Sequence, residues 1–251
     1  MIQPENFKLM SFTKENREKL ALGTKLMTRR VITQLLDDKS DNYVKPFHNK
    51  VMGFWEFLHK PTNTVAEVKS PYQVGDIVGI REPYVIEKMD HGNYLLSGRY
   101  LDDNQEYIKT RLSVTEWRRL VKRQYPLRKS PSLFMYKSLC RKFYTVTAVK
   151  VERAQDISEE DAKAEGIEEW IPSADWFGYT KNPEESKARW DAGGKFWLSY
   201  PRYPKRKQTG VFDCPIKSFR SLWNSINEKR GCGFDVNPYV FAYRLKKWSG
   251  K

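Results

Sequence analysis

The sequence predicts an α+β fold with a β-barrel-like sheet and short flanking helices, and three observations point there. Residues 143–151 (FYTVTAVKV) alternate apolar and polar positions with a period of two, which is the signature of a half-buried strand. Residues 239–245 (YVFAYRL) read as a closing strand. Between them, residues 215–229 place Ile216, Phe219, Leu222, Trp223 and Ile226 on one helical face.

The remaining elements follow in chain order. Residues 13–22 form a short helix: Thr13 caps it, Phe12 staples it and Gly23 ends it. Residues 37–71 are polar and turn-rich and read as a loop with one short element. Residues 73–86 (QVGDIVGIREPYVI) carry β-branched side chains after a Gly-Asp turn and read as one strand. Irregular strands follow over 94–107. Ser113 with Glu116 makes a capping box before Trp117, Leu120 and Val121, so a short helix begins there. Ser158 with Asp161 caps another that runs through Ala164 and stops at Gly166. Residues 168–212 are aromatic and charged, with no clear period.

Composition narrows the function classes. The chain has 251 residues with a net charge of +14, an excess that favours polyanions because neutralising phosphates releases counterions. The charge is segregated. Residues 109–142 hold eleven Lys/Arg against one acid, Glu116, whereas 150–191 hold twelve Asp/Glu against six Lys/Arg. A basic face and a separate acidic one are expected. Three scattered cysteines (Cys140, Cys214, Cys232) argue for a reduced compartment, and with no secretion signal the expected location is the cytoplasm. No apolar run is long enough to span a bilayer, so no membrane partner is expected. Three scattered histidines give no zinc pattern, and nothing calls for a cofactor.

Five blocks carry a family resemblance. They are KLMSF with LALGTKLMTRRVI (20–32), PYQVGDIVGIREPYVI (71–86), residues 130–167 with QDISEEDAKAEGI, FRSLWNSIN (219–227) and FDVNPYVFAYRL (234–245). Together they resemble the ASCH domain of the PUA-like superfamily, in the long form common in phages and prophages. The resemblance implies one domain over 1–251 with a PUA-like β-barrel and insertions near 37–70, 84–130 and 168–212. It also implies RNA, or a nucleoside derived from it, as ligand. Family members differ: some are similar to small amidohydrolases that deacetylate N4-acetylcytidine, others are associated with ribonuclease activity or plain RNA binding. By that resemblance Lys25, Thr28 and Glu165 are the catalytic candidates. A threonine hydroxyl needs a neighbouring base, a lysine serves as one only with a lowered pKa, and a glutamate orients it or shuttles the proton. The alternative is that Lys25 binds phosphate, Thr28 is a turn hydroxyl and Glu165 a solvated helix end.

Arg29, Arg30, Arg81, Arg118, Arg119, Lys122 and Arg123 are the nucleic-acid-binding candidates. Arg81 suits a phosphate or base edge, unless it merely pairs with Glu82. Trp170, Trp176, Phe177, Tyr179, Trp190, Phe196, Trp197, Tyr200 and Tyr203, with Arg202, Lys205, Arg206 and Lys207 after them, either stack single-stranded bases or pack the insertion. Trp190 and Trp197 are read as packing. The functional expectation is RNA or nucleoside binding. The alternatives are an amidohydrolase on a modified nucleoside, and a phage accessory protein that contacts DNA or a host partner.

Overall fold

A computed structural model describes residues 3–36, 42–44, 46–49, 52–102, 107–122, 129–173, 175–176, 182–200 and 210–250. In chain order they form β1 (Lys8–Met10), α1 (Lys14–Leu22), β2 (Met27–Val31), β3 (Phe47–Asn49), β4 (Phe54–His59), β5 (Thr64–Val68), β6 (Ile77–Ile80), β7 (Tyr84–Asp90), β8 (Leu95–Tyr100) and β9 (Tyr107–Arg111). Then come α2 (Val114–Lys122), β10 (Lys129–Ser130), β11 (Phe143–Arg153), α3 (Glu159–Ala164), β12 (Glu169–Trp170), α4 (Pro183–Asp191), β13 (Phe196–Leu198), β14 (Val211–Phe212), α5 (Pro215–Asn227) and β15 (Tyr239–Lys247). The class is α+β. The strands lie in open sheets, and no closed barrel is seen among the described residues. No helix among these residues is long and apolar enough to cross a membrane.

The chain divides into two compact units. The first comprises Met1–Ala21, Tyr72–Thr147 and Leu245–Lys251. In it β1 runs parallel to β6, and β6 pairs antiparallel with β11 through Phe143↔Gly79. A second, antiparallel sheet has the order β10-β7-β8-β9, which leaves β9 at an edge. Gly98 is required in β8: a Cβ there would lie 1.9 Å from the Val85 carbonyl oxygen. The inner faces of β7, β8 and β9 bury Tyr84, Ile86, Leu96 and Ile108 against Trp117 and Leu120 of α2. The helix starts where its capping box predicts. The Glu116 amide donates to Ser113 Oγ at 3.2 Å, and the Ser113 amide donates to Glu116 Oε2 at 3.1 Å.

The second unit comprises Leu22–Pro71 and Ala148–Arg244. Here β15 lies between β11 and β2, and its register with β2 runs from Val240↔Val31 to Arg244↔Met27. Helix α5 packs Phe219 and Trp223 against Ile157, Ala162 and Val240, and the Trp223 indole donates to the Cys232 carbonyl at 2.8 Å. Truncating either ring to alanine costs about 3–5 kcal/mol. The α3 cap forms as expected, with the Asp161 amide on Ser158 Oγ at 3.1 Å.

Four expectations need correction. Residues 37–71 are not a loop with one short element: β3, β4 and β5 form a three-stranded antiparallel sheet. The apolar side chains of FWEFLH supply the strand, and Asn63, at φ 55°, turns the chain between β4 and β5. Residues 73–86 are two strands rather than one, with Pro83, which lacks an amide donor, between them. The stretch 168–212 contains a nine-residue helix, α4, started by Pro183 at its first turn. Ile226 is 43% exposed and lies off the buried face of α5, which runs through Phe219 and Trp223 to Asn227.

Candidate functional site

Two of the three candidate catalytic residues, Lys25 and Glu165, meet in an ion cluster of the second unit. The chain enters β2 with the Leu26 amide donating to the Ala164 carbonyl at 2.7 Å, which ties this entry to the end of α3. That tie brings Lys25 to Glu165, 140 positions away in sequence. Lys25 Nζ donates to Glu165 Oε2 and to the Glu165 carbonyl, each at 2.7 Å. Glu165 Oε1 accepts from Arg29 at 3.1 Å. Arg29 also donates to Glu152 Oε1 at 2.8 Å and to Asp161 Oδ2 at 3.2 Å. Arg244 reaches Asp161 Oδ1 at 3.1 Å. Three cations thus share three carboxylates. The Arg29 side chain is 1% exposed and Lys25 is 3% exposed, and charges this deep persist only when paired. Burial works against the Arg29 charge, yet the combined pull of Glu165 and Glu152 outweighs it and holds its pKa above the ordinary arginine value.

Thr28 is buried on β2, in register with Tyr243. Strand alternation puts Met27, Arg29 and Val31 on one face and Thr28 and Arg30 on the other. The contact of Arg244 with both Met27 Sδ (3.5 Å) and Asp161 confirms which face carries the ion cluster. The Thr28 face carries Tyr243, whose hydroxyl lies 2.9 Å from Ser70 Oγ. The structure therefore joins Lys25 to Glu165 and sets Thr28 on the strand face opposite Arg29. Arg29, expected at a phosphate, has its guanidinium engaged by three carboxylates, while Arg30 is half-buried opposite Phe241. Glu152, Asp161 and Arg244 also belong to the cluster; the sequence marks Asp161 only as a helix-cap partner and gives Glu152 and Arg244 no role. Only the acidic run 150–191 hinted at a supply of counter-charges.

No family model, curated protein or solved structure matches the chain. Its chemistry is read from its own side chains.

In the first unit the basic candidates look outward. Arg118, Arg119 and Lys122 are exposed on α2, which buries Trp117 and Leu120 on its other side. Lys109 and Arg111 are exposed on β9. Among the described residues no carboxylate pairs with any of these five. The one acid in the stretch, Glu116, is held by Ser113 and by the Ser138 amide at 3.2 Å. Arg123 lies outside the described residues. Arg81 follows the end of β6 and is half-buried, with a guanidinium nitrogen 3.4 Å from Ser11 Oγ and its Nε buried without a hydrogen-bond partner among the described residues. Its neighbour Glu82 is fully buried and does not pair with it. Glu82 instead accepts two bonds from Arg141, both at 2.9 Å, and lies 2.9 Å from Lys142 Nζ.

The aromatic segment packs largely on itself. Trp170 and Trp176 meet edge-on at 4.7 Å, Trp176 meets Phe196 at 5.2 Å, and Trp190 stacks on Phe196 at 6.3 Å. Trp197 is buried in the cluster around Phe219, and the Tyr200 hydroxyl accepts from the Glu168 amide at 2.8 Å. Phe177, Tyr179, Arg202, Tyr203, Lys205, Arg206 and Lys207 lie outside the described residues. Among the described residues no group of three His, Cys, Asp or Glu side chains is placed to hold a metal ion.

Proposed function

We propose that this chain is a PUA-like protein of the ASCH type that binds RNA, or a nucleoside derived from it, and that its polyanion footprint is made by the exposed cations of β9 and α2. One observation carries the reading: five exposed cations there have no acidic partner among the described residues, and the only acid in the stretch is locked in a helix cap. Solvated, uncompensated lysines and arginines release counterions from phosphates, whereas cations already paired with carboxylates do not. The five sequence blocks that resemble the ASCH domain support the architecture. The test is single-stranded RNA binding measured against salt. Replacing Arg118, Arg119, Lys122 and Arg123 with alanine weakens binding and flattens the slope of log K against log salt by about 0.7 per phosphate no longer neutralised. An unchanged slope removes this face as the footprint, and tighter binding of duplex DNA than of RNA moves the protein to the DNA-contacting class.

The contact of Lys25 with Glu165 favours a second reading, an amidohydrolase on an N4-acylated cytidine-type nucleoside. Lys25 Nζ lies 2.7 Å from Glu165 Oε2, the geometry of an ion pair. It would serve first as a cation for a developing oxyanion, and as a base only after passing a proton to Glu165. Hydrolysis of N4-acetylcytidine that is lost in Lys25→Ala and Thr28→Ala but partly kept in Thr28→Ser supports this reading. No turnover by the unaltered chain ends it.

A further inference from the structure

The first unit contains two cavities, of about 520 and about 410 Å³, whose walls share Arg141. Both fall in the size range of small-ligand sites, about 300–1,000 Å³. The larger is lined by Lys109 and Arg111 of the edge strand β9, by Tyr107 and by Tyr100. The smaller is lined by Lys142, Lys247, Phe143 and Trp248. No acidic side chain among the described residues lines either one. Arg141, on the shared wall, is fixed in place: Glu82 holds its guanidinium with two 2.9 Å bonds, and the group lies 3.9 Å from the centre of the Tyr100 ring. Tyr107 is 60% exposed and packs against no other ring among the described residues. Trp248 is half-buried and braced edge-on by Phe143 at 5.8 Å.

Cations without acids select an anion. A flat ring beside each group of cations selects an anion that carries a planar base. We propose that the two cavities are neighbouring nucleotide subsites for single-stranded RNA: Tyr107 and Trp248 offer stacking faces, Lys109, Arg111 and Lys247 contact phosphates, and Arg141 stands between the subsites. This rests on the RNA-binding reading above and adds to it where bases, as well as phosphates, are held.

The test uses the full chain with a fluorescent oligouridylate of eight nucleotides, the matching oligothymidylate, and uridine monophosphate as competitor. Tyr107→Ala lowers octamer affinity by roughly 5- to 100-fold, the usual range for losing one stacked base, and Tyr107→Phe retains it. Because Tyr107 is exposed, neither change disturbs the core. Lys109→Ala with Arg111→Ala reduces the salt slope by about 0.7 for each phosphate left without its cation. Lys247→Ala weakens the octamer and leaves competition by the monophosphate at the Tyr107 cavity unchanged. Four results overturn the proposal. If all these variants bind like the unaltered chain while the α2 variant loses binding, the α2 part of the footprint stands and its β9 part falls together with the subsites. If the monophosphate binds as tightly as the octamer, the cavities are not consecutive. If the unaltered chain binds no RNA, both this proposal and the reading beneath it fail. Tighter binding of the oligothymidylate than of the oligouridylate assigns the subsites to DNA and overturns the choice of RNA.

Discussion

Two segments of this chain look alike as text and behave oppositely as structure. TKLMTRR leads into β2 of the second unit, and TEWRRLVK leads into and through α2 of the first. Each is a threonine-led run ending in arginine pairs or lysine. In β2, Arg29 turns inward and is held by Glu152, Asp161 and Glu165, and Lys25 is held by Glu165. In α2, Arg118, Arg119 and Lys122 face solvent with no carboxylate at hand among the described residues. The difference lies in the acids folded beside them. Helix α3 and the end of β11 deliver three carboxylates to the first set, while the second set has only Glu116, and that carboxylate is spent on a helix cap. Positive charge predicts polyanion binding only where the fold leaves it uncompensated.

The largest effect that sharpens this contrast belongs to the ion cluster. Glu165→Ala removes the carboxylate shared by Lys25 and Arg29 and leaves two buried cations short of a partner, at a cost of about 3–5 kcal/mol. Denaturant unfolding should show a large loss, and the pair Lys25→Met with Glu165→Leu should recover part of it, because an apolar replacement carries no unpaired charge. Buried cysteines locate the loss. Cys232 lies in the second unit and Cys140 in the first, where burial pushes its thiol up to about 12. In Glu165→Ala, thiol reagents should reach Cys232 sooner and Cys140 at the unaltered rate. Equal acceleration of both would mean that the two units open together.

A smaller effect on stability, with a larger one on binding, is expected at α2. Surface charge changes away from caps and cores stay within roughly ±0.5 kcal/mol each, so the Arg118, Arg119 and Lys122 alanine variant should unfold near the unaltered midpoint. Its RNA affinity should nonetheless fall. If it loses stability and keeps affinity, the roles assigned to the two segments are reversed.

How much of this was legible follows from which interactions are local. The capping box at Ser113 and the cap at Ser158 close within three positions, and the strand at 143–151 and the helix α5 are marked by local periodicity although their packing partners lie far away in sequence; these elements appear where the sequence places them, with Ile226 alone leaving the α5 stripe. The three strands over 47–68 were hidden because their turn residues dominate the composition, although Phe54, Trp55 and Phe57 carry the strand. Helix α4 was hidden because no apolar stripe marks it and none of its residues is buried. At the site, the meeting of Lys25 and Glu165 came from the resemblance and not from spacing. Glu152, Asp161 and Arg244 join across 83 to 132 positions, a separation at which local patterns carry no information. The pairing of Glu82 with Arg141 in place of Arg81 is the same kind of long-range choice: strand β6 ends at Ile80, and Glu82 is turned to the core.

The smallest expected effect concerns Glu116, and it tests whether that acid is truly withdrawn from the basic face. Burial tends to raise its carboxyl pKa. Hydrogen bonds from the Ser138 side chain and from the amide and hydroxyl of Ser113 outweigh that, so the group titrates below the ordinary glutamate value of 4.5. A carboxyl lowered in this way contributes stability that is fully present above the unfolded value and is lost as pH falls through the lower, folded one. The acid limb of the stability curve should therefore steepen below about pH 4.5, and Glu116→Gln should flatten that limb while costing roughly 0.5–1 kcal/mol at neutral pH, as for a weakened helix cap. The decisive reading is the RNA salt slope of the same variant at pH 7. With the carboxylate engaged by serines and amides, deleting its charge leaves Arg118 and Arg119 as they were and the slope stays put. A slope steeper by one whole phosphate would mean that Glu116 had been neutralising one of those arginines, and that the contrast between the two segments is one of degree.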